Sequence, residues 1–200
     1  MALLFSNGTD PVRAALDNYR RVSGYQVTLA TQGGGANELI RYAYRRPGLV
    51  RIEFITPHRG AVLIYNAASG VVKLWPFGHR RFPVLSLSPS NPLIQSPSGQ
   101  RVDRSDVGAL YENVRALQVR GVTEVRGVEP VGAREAVHLE VRGAEGRPSG
   151  RVAGYRLWLD CDNGFPLRVT SIDGAGAVIE TVEMAELWIA PDFPEDFFRQ

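Results

Sequence analysis

Two hundred residues with 44% hydrophobic and 22% charged side chains make an ordinary globular composition, and a net charge of +2 gives the chain no strong electrostatic character. No run approaches the ~18 apolar residues that a membrane-spanning helix needs. The basic residues are nearly all arginine, with Lys73 the one lysine, and they are interleaved with 21 acidic residues. They do not cluster with stacking aromatics, so no nucleic acid is expected as a partner.

Met1 to Ser6 is too short for a signal peptide and lacks a basic start and a long apolar stretch. The chain therefore reads either as cytosolic or as an exported protein whose signal has been removed. Asp10 followed by Pro11 is a helix-start signal: a capping side chain, then a residue whose missing N–H costs nothing at the first helical position. Val12, Ala15, Leu16, Tyr19 and Val22 form one apolar stripe, and Gly24 is the expected stop. Tyr25 to Thr31 alternates as a strand. Gly33-Gly34-Gly35 has no following Lys-Ser/Thr pair and leads into a strand, so it reads as a loose turn and not as a phosphate loop.

Leu39 to Phe77 predicts four strands in a meander. Ile40, Tyr42 and Tyr44 alternate with Arg41 and Arg45, and Val50, Ile52 and Phe54 alternate with Arg51 and Glu53. A period of two gives each strand one apolar and one charged face. Pro47 is expected at the first central position of the intervening turn, with Gly48 after it. Ala61 to Tyr65 and Val71 to Trp75 are apolar at nearly every position, as strands covered on both sides are.

Phe82 to Asp103 carries Pro83, Pro89, Pro92 and Pro97 among five serines, a density that breaks helices and sheet ladders. Val84, Leu85, Leu87, Leu93 and Ile94 would be wasted on a solvated linker, so this loop is expected to lie over an apolar surface as a lid, the alternative being an irregular excursion. Ser105-Asp106 opens a second helix striped by Val107, Leu110, Tyr111, Val114 and Leu117. Beyond Gly121 the chain is antiparallel β again: Val122 to Val131, Ala136 to Val141, Tyr155 to Leu159, Leu167 to Ile172 and Val178 to Ile189. Gly146 to Gly150 reads as a polar turn, Asp162-Asn163-Gly164 as a hairpin signal, and Pro191 to Phe198 as one helical turn with apolar anchors. Together these elements predict one α+β domain spanning residues 1–200. Its sheet of about ten strands is too large and too twisted to stay flat.

Candidates for chemistry are few. His58, His79 and His138 are far apart, and a Cys–His nucleophile pair would need His138 beside Cys161, in a turn where a thiol is usually solvated or half-buried. Asp160, Asp162 and Asn163 resemble the start of a calcium loop, but Gly164 comes one residue too early and no later glutamate completes it. There is no GxSxG, HExxH or CxxC motif. The expectation is a non-catalytic protein with no metal and no cofactor.

Arg46-Pro47-Gly48-Leu49-Val50-Arg51, then Thr56-Pro57, then an aromatic-rich strand ending Leu74-Trp75-Pro76-Phe77, are similar to motifs of the LolA/LolB-like lipoprotein-carrier superfamily. So are Leu157-Trp158-Leu159-Asp160, Phe165-Pro166-Leu167, Asp173-Gly174, the long strand and the closing Pro-Phe-Phe segment. The resemblance implies a curved, unclosed antiparallel half-barrel with two helices plugging its concave face, a periplasmic location and an apolar cavity that accepts acyl chains. It also covers regulatory sensor domains of the same fold. The long Pro/Ser loop is a departure from the well-known carriers.

On this reading the ligand is a lipid or lipoprotein acyl chain. The expected lining is Val50, Ile52, Phe54, Val62, Ile64 and Leu74 from the meander with Leu16, Tyr19, Leu110 and Val114 from the helices. Arg45, Arg46 and Arg51 would meet an anionic headgroup at the rim or be solvated. An envelope protein is a further expected partner, and membrane contact is transient at most.

Overall fold

The computed structural model describes residues 8–96, 99–144 and 152–200. The lead-in Met1 to Ser6 and the expected turn Gly146 to Gly150 lie outside the described residues. In chain order come α1 (Pro11–Tyr19), β1 (Gly24–Gly33), β2 (Ala36–Arg45), β3 (Leu49–Thr56), β4 (Val62–Asn66), β5 (Val71–Trp75) and β6 (Leu85–Leu87). They are followed by α2 (Val107–Gln118), β7 (Val122–Val131), β8 (Arg134–Arg142), β9 (Gly154–Asp160), β10 (Pro166–Ile172) and β11 (Val178–Ile189). The fold is α+β, with eleven strands in one unclosed sheet in the order β6-β5-β4-β3-β2-β1-β11-β10-β9-β8-β7. The chain divides into two compact units, one of residues up to Arg21 with Asp106–Glu183, the other of Val22–Ser105 with Met184–Gln200.

In the first unit both helices begin as their caps dictate. Asp10 accepts from the Val12 amide at 3.0 Å, and Asp106 accepts from the Gly108 and Ala109 amides. The first helix stops at Tyr19, so Val22 is not part of its stripe, and Gly24 opens β1 instead of ending the helix. The helices pack on each other, and α2 packs on β8 and β9. Val12, Leu16, Tyr19, Tyr111 and Val114 are buried with Leu139, Val141, Leu157 and Leu159. The Tyr19 ring meets Tyr111 and Phe165 edge-on, and the Tyr111 hydroxyl donates to the Gly164 carbonyl.

The other face of this unit's strands is charged. Glu140 sits among Arg126 (3.2 Å), Arg156 (3.5 Å) and Arg142 (3.6 Å). Burial alone would raise its carboxyl pKa, but the three arginines outweigh that and hold it below the usual value.

In the second unit β1 and β2 form a tight hairpin around Gly34-Gly35, paired from Gly24↔Arg45 to Gly33↔Ala36. The β2–β3 turn closes through the Gly48 amide on the Arg45 carbonyl at 3.2 Å, which places Pro47 at the second central position and not the first. The Pro/Ser loop is more regular than its prolines suggest. Leu85–Leu87 adds a short strand to the sheet, with Leu87 opposite Val72 and Leu85 opposite Leu74. Three residues suffice to pair, and an edge strand leaves its outer amides to solvent, which prolines nearby do not prevent.

The C-terminal segment makes one turn and clamps onto this unit. Arg51 donates to the Phe197 carbonyl at 2.7 Å, and the Gln200 amide donates to the carbonyls of Ile64 and Val71. Phe193, Phe197 and Phe198 cluster at ring separations of 4.8 to 5.0 Å.

Candidate functional site

Register decides which meander residues share a face. Val50 lies opposite both Tyr44 and Tyr65, Ile52 opposite Tyr42 and Leu63, and Phe54 opposite Ile40. Leu63 and Tyr65 in turn lie opposite Leu74 and Val72. Directly opposed residues point the same way. One face therefore carries Ile40, Tyr42, Tyr44, Val50, Ile52, Phe54, Leu63, Tyr65, Val72 and Leu74, continued by Leu85 and Leu87. None of these residues is charged; beyond Ile40 the same face of β2 continues to Glu38.

The opposite face corrects two of the expected lining residues. Val62 lies opposite Glu53 and Ile64 opposite Arg51, so both point away from Val50, Ile52, Phe54 and Leu74. They form a buried cluster with Trp75 on the side of Arg51 and Glu53. The neighbouring residues Leu63 and Tyr65 take their place. A strand with no polar position carries no signal in its own sequence of which face is which, and only pairing with β3 sets it.

Along the apolar face burial is uneven. Tyr42, Tyr44, Val50, Leu63, Tyr65 and Val72 are buried, while Ile52, Phe54, Leu74 and Leu87 are half-buried and Leu85 is exposed. The second half of the Pro/Ser loop meets the buried end. Val102 is buried, the Ser105 and Tyr42 hydroxyls are 3.1 Å apart, and Asp103 and Arg101 lie near Tyr65. Burial first, then the Asp103 charge, raises the Tyr65 phenol above its ordinary pKa, partly offset by Arg101.

Of the helical residues expected at the site, Leu16, Tyr19 and Val114 are buried in the first unit's own core, and Leu110 is half-buried. The Tyr19 hydroxyl donates to Asp106 at 2.7 Å, which ties the two helices together.

The three expected rim arginines are engaged within the second unit. Arg45 lies over the Phe198 ring at 4.9 Å and Arg51 over the Phe197 ring at 4.7 Å, while Arg46 donates to the Val22 carbonyl at 2.8 Å. The Arg51 side chain is only 12% exposed and pairs with Glu53 at 2.7 Å. An arginine held by a fork of donors and an aromatic ring is an anchor for the chain and not a solvated rim charge.

The sparse chemical candidates do not converge. His138 stacks on Trp158 at 4.3 Å with its Nδ1 2.5 Å from Glu129, on the charged face. Cys161 is 3% exposed, buried where a half-open thiol was expected. Its amide donates to the Glu135 carbonyl, which seats the turn against β8. Burial, then Glu135, Asp160 and Asp162, push the thiol pKa up, against nucleophile chemistry. Asp160 accepts from the Asp162 and Asn163 amides and pairs with Arg134, so its carboxylate closes the hairpin. Among the described residues no three His, Cys, Asp or Glu side chains gather as metal ligands would.

A family model of the MucB/RseB N-terminal domain matches residues 123–200. No curated protein matches the sequence. Among solved structures, an uncharacterized conserved protein from Thermus thermophilus superposes with a TM-score of 0.59 at 14% identity, over 96% of this chain and 94% of that one. Lipoprotein LppX from Mycobacterium tuberculosis gives 0.56 at 14% identity, over 90% and 94%. MucB from Pseudomonas aeruginosa, solved in complex with MucA, gives 0.55 at 18% identity, over 93% of this chain but 60% of MucB. The likeness shows the fold alone: this chain shares the fold of these three proteins, and the family model covers less than half of it.

Proposed function

We propose that the protein binds an acyl chain, free or as the anchor of a lipoprotein, non-covalently on the apolar face of its second unit, in lipid or lipoprotein trafficking of the periplasm. The observation that carries this reading is the stretch Ile52, Phe54, Leu74 and Leu85, which leaves apolar surface open beside buried neighbours and lies opposite uncharged residues only. Contiguous exposed apolar surface of this kind marks binding sites. Burial at ~0.8 kcal/mol per CH₂ gives a chain of about fourteen carbons on the order of 10 kcal/mol before ordering costs. The loop through Val102 and Ser105 would serve as a lid. No residue acts as a catalyst in this reading.

The test is native mass spectrometry after gentle purification together with displacement of an apolar fluorophore. Retained lipid, and probe uptake abolished by Phe54→Glu, are the expected results. A protein that takes up no probe, or takes it up equally with Phe54→Glu, would sink the proposal.

A second reading, a periplasmic regulatory or structural interaction domain with no transported ligand, is favoured by β7. That strand is exposed over nearly its whole length as a sheet edge, with Val122, Val125 and Val128 each more than half exposed. Such an edge suits an added strand from a protein partner. Loss of partner binding on Val125→Lys, with lipid uptake absent, would decide for it.

A further inference from the structure

The turn from β5 to β6 turns its largest apolar side chains to solvent. Phe77 is 67% and Phe82 92% exposed, and Val84 carries the exposed apolar surface on to Leu85. The turn is nonetheless held in place. The Arg81 amide donates to the Gly78 carbonyl at 3.0 Å, Arg80 pairs with Asp196 at 3.1 Å, and the His79 Nε2 lies 3.0 Å from the Arg199 carbonyl. Single apolar residues scattered over a surface need no explanation, but two phenylalanines held outward on one anchored turn do.

The strand register brings a second turn alongside. Val62 lies opposite Trp75 and Leu74 opposite Leu85, so the β3–β4 and β5–β6 turns close the same end of the sheet. The two turns touch: a Cβ on Gly78 would stand 3.7 Å from the Gly60 carbonyl oxygen. The Gly60 amide in turn donates to the carbonyl of Phe54, so this end borders the open part of the apolar face. Arg59 is exposed on the first turn and Arg80 and Arg81 on the second. Among the described residues neither Arg59 nor Arg81 has an ion-pair partner. Between Glu53 and Asp103 the sequence holds no acidic residue, while it carries Arg59, Lys73, Arg80, Arg81 and Arg101. The small net charge of the whole chain hides this one-signed stretch.

We propose that this end of the second unit docks on an anionic phospholipid bilayer. Phe77 and Phe82 enter between the headgroups, while Arg59 and Arg81 lay their stems along the apolar boundary and reach lipid phosphates with their guanidinium groups. The charge pattern selects a bilayer over a protein as the occupant. A protein interface is set in register by complementary charges at fixed places. A fluid anionic surface supplies a phosphate wherever an arginine stands, and it asks only for one sign of charge on projecting turns. The docking does not depend on the acyl-chain reading. Where both hold, it sets the open apolar face beside the bilayer.

The experiment is co-sedimentation of the full chain with vesicles of phosphatidylcholine alone and of phosphatidylcholine with about one third phosphatidylglycerol, a strongly anionic surface. The protein should pellet with the anionic vesicles and much less with the neutral ones, and high salt should weaken the binding. Arg59→Gln and Arg81→Gln should each weaken it by about fivefold. Phe77→Ser combined with Phe82→Ser should weaken it by about tenfold or more. Leu93 is also largely exposed but lies beyond the other end of β6, so Leu93→Ser should leave binding unchanged. Circular dichroism is the control for folding. Equal binding to both kinds of vesicle, binding to neither, or a loss on Leu93→Ser as large as that of the double phenylalanine variant overturns the proposal. A protein that ignores vesicles yet takes up the apolar fluorophore loses the docking and keeps acyl-chain binding. One that binds anionic vesicles but takes up no fluorophore keeps the docking and loses the acyl-chain reading.

Discussion

The Arg51 guanidinium lies over the Phe197 ring at 4.7 Å and donates to the carbonyl of the same residue at 2.7 Å. One side chain on β3 thus holds a residue 146 positions later by its ring and its backbone at once. Arg51 is also paired with Glu53, so its charge is balanced where it is buried. Replacing it by leucine leaves the Phe197 carbonyl without its donor and Glu53 with Arg41 alone, and should cost about 1–3 kcal/mol. The urea midpoint is the measure. Arg51→Lys should recover little of the loss, because an ammonium has no planar fork to serve ring, carbonyl and carboxylate together.

The same clamp predicts a pH dependence. His79 Nε2 is 3.0 Å from the Arg199 carbonyl, and its ring meets Trp75 edge-on at 4.9 Å. Burial lowers its pKa below 6.5; the Arg199 carbonyl opposes this, and Arg51 and Arg80 reinforce it against Asp196. Between the folded and unfolded values the unfolded chain binds more protons, so stability rises with pH there. The contribution of neutral His79 is present above pH 6.5 and is lost as pH falls through the lower folded value. Urea melts at about pH 7.5 and about pH 5.5 should show a larger acid-side loss for the wild type than for His79→Gln. Equal losses would remove His79 from the account.

Cys161 should be chemically quiet in the folded protein. With its thiol buried and pushed up by burial and by three neighbouring carboxylates, little thiolate is present at neutral pH. Labelling by a maleimide near neutral pH should be at least about tenfold slower than in denaturant. Rapid native labelling would mean that the β9–β10 hairpin opens readily.

Tyr111→Phe isolates one buried hydrogen bond. The hydroxyl donates to the Gly164 carbonyl from a fully buried ring, and burial raises its pKa well above the ordinary value. Removing it orphans the carbonyl and should cost about 1–2 kcal/mol. For a chain of this length that lowers Tm by roughly 2–4 °C per kcal/mol. An unchanged Tm would mean that the carbonyl finds another donor.

The sequence by itself determined the local elements whose signals are chemical. Asp10-Pro11 and Asp106 start the helices, the hairpins at Gly34-Gly35 and Asp162-Asn163-Gly164 close where their turn residues stand, and the alternation of Ile40, Tyr42 and Tyr44 with Arg41 and Arg45 assigns the faces of β2. Each of these depends on residues close together in the chain. Only the tertiary structure decided the rest. Val62, Leu63, Ile64 and Tyr65 are all apolar, so their period of two marks no face, and it took the register with Arg51 and Glu53 to send Val62 and Ile64 one way and Leu63 and Tyr65 the other. Arg45 and Arg51 look solvated in sequence because their partners Phe198 and Phe197 lie far downstream, at the other end of the chain. Glu180 reads as one more charge on a long strand. Its burial beside Ser171 comes from pairing across three strands, and no spacing within β11 records it.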